Sequence, residues 1–459
     1  MRARRTLIRN AWIITLDPEL GDLQNADLLI EGRHIAAVGR DLGVEDAEVI
    51  DGTDRIVIPG FVDSHRHTWQ TAMRNIAADW TLTQYFTGIL VALGPVYRAE
   101  DTYAGSLLGT LEAHDGGIST LLDWSHALNS PDHSDAAYQA LADSGSRAVL
   151  AHGNDSSIWV NPDQLSDWSD LERVRRQYCS SDDQLITVAM APRGPDFGSI
   201  EPAQADWRKA RELGIRISVH IGVGGFGKRS IAQLHDHGLL GPDTTYVHCS
   251  RSDDDELAMI ADSGGSASVA AEVEMHMGHG YPPTARLLEV GIRPSLSVDV
   301  CTGIGGDMFG QMRINLALQR AMENEAHLDA GTTPESLSLR ARDILEFATI
   351  QGARAMGLDH KIGTLTPGKQ ADVVVLRADR LNMYPVNHPV ASAALAANTS
   401  NVESVFVAGT AVKRDGELVG VDLDRVRRLA TESRDYLLSK AEGACIGGSW
   451  FPKAYVVEH

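Results

Sequence analysis

The stretch IVIPGFVDSHRH, residues 56–67, decides the fold. It reads as an apolar strand that ends on two histidines one residue apart. In an extended strand residues i and i+2 point to the same side, so His65 and His67 can reach one ion. A lone pair of this kind is also what chance produces on a surface. Its weight comes from seven further segments built the same way: 117–126, 147–153, 186–194, 215–221, 244–250, 266–274 and 292–300. Helical stretches separate them, among them 101–114, 202–213, 253–263 and 335–356. Eight strand–helix units over roughly 300 residues predict a (β/α)8 TIM barrel, an α/β fold whose catalytic groups project from the carboxyl ends of its strands.

Outward from the barrel the texture changes. Thr6 to Leu16, ADLLIEG (26–32), HIAAVG (34–39), GTLTPGKQADVVVLRAD (363–379) and VESVFVAGTAVKRDGELVG (402–420) are short strands with turn punctuation. Residues 1–57 and 360–459 are therefore expected to form the two parts of one small β-sandwich domain, with 58–359 as the barrel. A helix over 424–440 and an irregular tail complete the second part. At 459 residues the chain exceeds one compact core, which suits this division.

Acidic residues outnumber basic ones by 62 to 41, for a net charge of -21. Such a field repels nucleic acid and anionic membranes and excludes them as partners, while leaving room for a small molecule. No run approaches 18 uninterrupted apolar residues, so no membrane span is expected. The basic start lacks a long apolar core, so no signal peptide is read there. Cys179, Cys249, Cys301 and Cys445 show no paired spacing, which fits reduced thiols and a cytoplasmic setting.

The strand ends carry His65 and His67, Asp123 and His126, His152, Arg193, His220, His248, Glu272 and Glu274, and Asp299. Packing alone does not account for so many of the 17 histidines on one rim. His65, His67, His220 and Asp299 are the expected ligands of one divalent metal ion, Zn foremost and Fe the alternative, with an open position for water. His248 is expected to bond that water or the substrate rather than the ion.

PGFVDSHRH, SVHIG, YVHCS and SLSVDV, with IGTLTPGKQADVVVL after the barrel, resemble the amidohydrolase superfamily, and within it the cytosine, adenosylhomocysteine and triazine deaminase or chlorohydrolase branch. The resemblance runs over nearly the whole chain. It implies the same four ligands, a water-orienting role for His248, a place for Gln70 beside the substrate, and hydrolytic displacement of an amino or similar group from a nitrogen heterocycle. Two positions depart from the pattern. Val223 stands where deaminases of this kind carry the glutamate that protonates the leaving amine, and Arg251 stands where a second histidine is common. Glu274, with Glu272 as its rival, is the expected substitute catalytic acid. Trp124, Arg193, Arg251 and His276 join Gln70 as expected substrate contacts, and Trp69, Trp80, Tyr85 and Trp124 can wall a pocket for a flat ring. The competing readings are a cyclic-amide or other non-deaminating hydrolase and, from another class, a metal-binding barrel without catalysis. A homo-oligomer, dimer or tetramer, is expected.

Overall fold

A computed structural model describes residues 4–227 and 229–441, with the backbone of 445–446 and 449–450; most of the tail read as irregular lies outside the described residues. Eight strands pair in parallel in chain order: β1 (Phe61–Arg66), β2 (Ile118–Ser125), β3 (Arg147–His152), β4 (Ile186–Met190), β5 (Ile217–Ile221), β6 (Thr244–His248), β7 (Ser266–Val269) and β8 (Ser295–Leu296). The seam between the first and last is closed just beyond β8. His67 N donates to Asp299 O at 2.8 Å, and Asp299 N donates to His65 O at 3.0 Å. Asp63, wholly buried inside, braces the same seam by accepting from Val298 N at 3.0 Å. The result is the expected (β/α)8 barrel.

Three segments differ from the sequence reading. The run 56–65 is two strands rather than one. Arg55–Pro59 belongs to the terminal sheet, and the chain changes sheets at Gly60, where a Cβ would lie 2.1 Å from Ser119 Oγ. The stretch 335–356 holds two short helices, Ala341–Phe347 and Ile350–Ala355, interrupted at Thr349. The third difference matters most for chemistry. β7 ends at Val269, and Ala271–Met277 is a helix, closed by Gly278 in the left-handed conformation. Alanine, glutamate and methionine are strong helix formers, and a left-handed glycine is the usual helix stop.

Both chain ends build one mixed sheet of nine strands, running from Arg5–Ile13 at one end of the chain to Glu417–Leu418 at the other. Its central join pairs Arg55–Pro59 antiparallel with Val373–Arg377. The helix Leu423–Ala441 lays Tyr436 under the guanidinium of Arg98, 3.6 Å from the ring centre.

Sheet and barrel are riveted by one buried ion pair. Arg147, on β3, donates from Nε and Nη2 to the two carboxylate oxygens of Asp372, each at 2.9 Å. Asp372 also accepts from Ala408 N at 2.8 Å and from Thr120 Oγ1 at 3.2 Å. Removing one partner of such a pair strands a buried charge, at a cost of about 3–5 kcal/mol. Arg147→Met should lower stability by about that amount in denaturant unfolding. Adding Asp372→Asn, which removes the charge and keeps an acceptor for Ala408, should recover part of the loss.

Candidate active site

β1 alternates its side chains. His65 and His67 face the barrel mouth, while Arg66 turns outward to Glu112 (2.7 Å) and to the carbonyl of Gly306 (3.0 Å). His67 Nδ1 lies 2.6 Å from the carbonyl of Trp124. A carbonyl only accepts, so the proton is on Nδ1 and Nε2 keeps its lone pair. That Nε2 lies 3.1 Å from His65 Nε2, 3.3 Å from His220 Nε2 and 3.3 Å from Asp299 Oδ1, and His65 Nε2 lies 3.3 Å from the same oxygen.

His65, His67 and Asp299 stand within 3.3 Å of one another, a spacing that fits ligands of one cation, and His220 adjoins them through His67. In a tetrahedral site with bonds of about 2.0–2.1 Å, neighbouring ligand atoms stand about 3.3 Å apart. Burial holds His65 and His220 below their ordinary range, with His65 brought to about 3, so both offer lone pairs. Burial alone would raise the Asp299 carboxyl. The imidazoles of His65 and His67 and the field of His248 instead keep it well below its usual range and ionised. His65, His220 and His248 also lie within 4.8 Å of one another, as do His67, His126 and His220, so the cluster offers more donors than one ion needs.

His248 ends β6 with φ at 76°, and Asp299 has φ at 67°. Neither is glycine, and such left-handed residues cost about 1–3 kcal/mol each, strain that concentrates at functional sites. His248 Nε2 is 3.7 Å from Asp299 Oδ2, and its Nδ1 is 3.1 Å from Glu274 Oε1. Burial opposes a charge on His248, but the bond to Glu274 and the fields of Asp299 and Glu274 push its pKa up.

Glu274 is thereby placed behind His248 and not over the rim. Its Oε1 also accepts from Ala270 N at 2.8 Å, and the whole side chain is buried. Glu272 does not share its side, as a strand would require. On the helix it turns away and takes a bond from Gln311 Nε2 at 3.1 Å. The expected pair of interchangeable acids is thus corrected by the helix at 271–277.

A small cavity opens over the cluster. Its floor is His67, His220, His248 and Asp299, flanked by His126 and His279. Its walls are Leu82, Tyr85, Phe86, Leu90, Trp159, Phe197, Val223, Met277 and Val300. None of the five expected substrate contacts is among these lining residues. Gln70 lies behind Tyr85, bonded to its hydroxyl at 2.7 Å. Trp124 is buried beneath the ligands, with Nε1 bonded to Ser218 O at 3.1 Å. Arg193 clamps the loop that carries Trp159, donating to the carbonyls of Ile158, Asn161 and Pro162. Arg251 and His276 are exposed, the latter 2.6 Å from the carbonyl of Ala78. Sequence reading missed Phe86, Trp159 and Phe197 as wall residues. Phe86 opens a short helix, Trp159 lies in a one-turn helix and Phe197 in a turn, none of them at a strand end, although the lone aromatic of GVGGFGKR after β5, Phe226, is a readable sign. Its ring packs 5.1 Å from Phe197 and 5.9 Å from Phe86.

Comparisons with known proteins bear on the family and the fold. The sequence model of the Amidohydrolase family matches residues 56–412. The 5'-deoxyadenosine deaminase of Methanosarcina barkeri is 27% identical over 443 residues, covering 95% of this chain and 98% of that protein. The 5-methylthioadenosine/S-adenosylhomocysteine deaminase of Thermoanaerobacter pseudethanolicus is 26% identical, covering 92% and 96%. Among solved structures, the zinc-complexed atrazine chlorohydrolase of Arthrobacter aurescens superposes with a TM-score of 0.81 at 23% identity, over 94% of this chain and all of the other. A zinc-bound adenosine deaminase of Xanthomonas campestris does so with the same score and identity, over 95% and 98%.

The donor set makes metal content and stability inseparable. Chelation should lower the melting temperature and added Zn should restore it, since a ligand at about a thousand times its Kd adds about 4 kcal/mol. His67→Ala should abolish both the response and the metal measured by elemental analysis.

Proposed function

The chain belongs to the amidohydrolase family, and from that premise we propose that it is a metal-dependent hydrolase that displaces an exocyclic amino or similar group from a flat nitrogen heterocycle. The observation that carries the proposal is the clustering of His65, His67 and Asp299 within 3.3 Å of one another, with His220 3.3 Å from His67, beneath a cavity walled by aromatic rings. Relatives named as deaminases of adenosine-type compounds support the reaction type. The zinc in structures of the same fold supports zinc as the ion.

A divalent ion held by these residues would supply a Lewis acid and would lower the pKa of a water from 15.7 to about 7. Asp299 is placed to accept that water's proton. His248, on the cavity floor, hydrogen-bonds the attacking oxygen and the oxyanion that follows. Glu274 fixes its tautomer and tilt from behind, as a carboxylate does for a catalytic imidazole. Phe86, Trp159 and Phe197 give the substrate ring an apolar seat that excludes water.

One feature favours a second reading. Asp299 is the only carboxylate among the cavity's lining residues, and Val223 offers no proton where its loop enters the cavity. An amine cannot leave unprotonated. Either a histidine donates the proton, or the leaving group departs without one, as a halide can.

A panel of amino- and chloro-heterocycles and cyclic amides, followed by ammonia release and absorbance together, separates these cases. Ammonia release supports the first reading, and turnover without ammonia the second. No turnover by metal-loaded protein across the panel would overturn both. His248→Ala should keep its metal and lose ~10²-fold or more in kcat/KM, the usual scale for a lost acid/base group. Loss of metal in that variant would make His248 a ligand instead.

A further inference from the structure

Both ring nitrogens of His279, a cavity-lining residue only 4% exposed, are buried without a partner, a condition it shares with His114, which lies away from the cavity. Buried polar atoms are nearly always bonded, so two orphans on one ring call for a ligand. The ring is not adrift. His279 N donates to Glu274 O at 2.9 Å, and Gly224 N donates to His279 O at 3.0 Å. Gly278 and Gly280 flank it with φ at +85° and +133°. At Gly280 a Cβ would meet Arg251 Cδ at 3.0 Å. A chain bent this tightly around one histidine, and tied down on both sides, aims a side chain.

Its position adds to the case. Through the Gly224 bond His279 borders the loop that carries Val223. On its other side its ring stands edge-on to His248, with centres 4.6 Å apart. Burial and the neighbouring His248 hold it neutral. A neutral imidazole offers one N–H donor and one bare acceptor. That pair complements the edge of a heteroaromatic ring, where a ring nitrogen alternates with an amino or oxo group.

We infer that His279 is a substrate-binding residue that hydrogen-bonds the ring edge of a nitrogen heterocycle on the Val223 side of the cavity. The inference rests on the functional reading above and adds a residue and a contact to it.

The test uses the full-length protein stripped of metal, so that binding is read without turnover. Calorimetry with adenine, 2-aminopyrimidine and melamine compares wild type, His279→Leu and His279→Asn. Wild type should bind at least one of the three. His279→Leu should weaken that binding about tenfold or more, the penalty for leaving a ligand's polar group unpaired in a pocket. His279→Asn, which keeps a donor and an acceptor, should recover most of it. Because no hydrogen bond inside the protein is lost, the Leu variant should melt at or above the wild-type temperature. With metal restored, KM should rise more than kcat falls for any compound turned over. Equal binding by wild type and His279→Leu overturns the inference and leaves the functional reading standing. So does a lowered melting temperature with unchanged binding, which would make the histidine structural. No binding or turnover of any heterocycle by wild type overturns the functional reading and takes the inference with it.

Discussion

Two backbone hydrogen bonds across the barrel seam carry the rest of the site. Asp299 donates to the carbonyl of His65 and accepts from the amide of His67. The same residue whose carboxylate closes the donor cluster therefore also closes the barrel. Opening the seam would separate the carboxylate from both histidines at once. Asp299 itself is held in a backbone conformation that few residues other than glycine adopt, a cost borne by the pairing on either side. Ligand geometry in this protein is a consequence of barrel closure.

Around that constraint the histidines form an arc. His126 packs 4.0 Å from His67, His220 stands between His67 and His248, and His279 abuts His248. Each comes from a different strand or loop, so the arc exists only in the closed barrel. Charge is managed within it by burial, which keeps His65, His126, His220 and His279 neutral. Only His248 has a carboxylate at its back, and only its pKa is displaced upward. Neutral imidazoles beside one whose proton affinity is raised favour a division between metal binding and proton transfer.

The sequence made the barrel and its histidine rim legible because both follow from period. His65 and His67 share a face by the two-residue repeat of a strand, and eight apolar segments with helices between them leave few other folds. The same rule misled at Glu272 and Glu274. Two acids one residue apart fit a strand's alternation, but Ala271, Glu272, Glu274 and Met275 favour a helix, and no local signal marked the end of β7 at Val269. On a helix the two side chains diverge, one behind His248 and one toward Gln311. The aromatic wall was harder still. Phe86, Trp159 and Phe197 come from two short helices and a turn far apart in the chain, and meet only in three dimensions. Arg193, read as a substrate contact from its place at a strand end, is instead the clamp that holds one of those segments in position.

The change of sheet at Gly60 has a bearing on how the molecule assembles. The strand just before it, Arg55–Pro59, gains its antiparallel partner only from Val373–Arg377, and Arg55 meets Glu403 across 348 positions of chain. During synthesis the first barrel strand therefore emerges beside an unfinished sheet, with the strand that anchors it, Val373–Arg377, still far along the chain. Closing so long a loop is slow, and it leaves apolar strand edges open in the meantime. The segment that supplies the first two histidines must wait for the other end of the chain, so this protein's nascent form is where chaperones would matter.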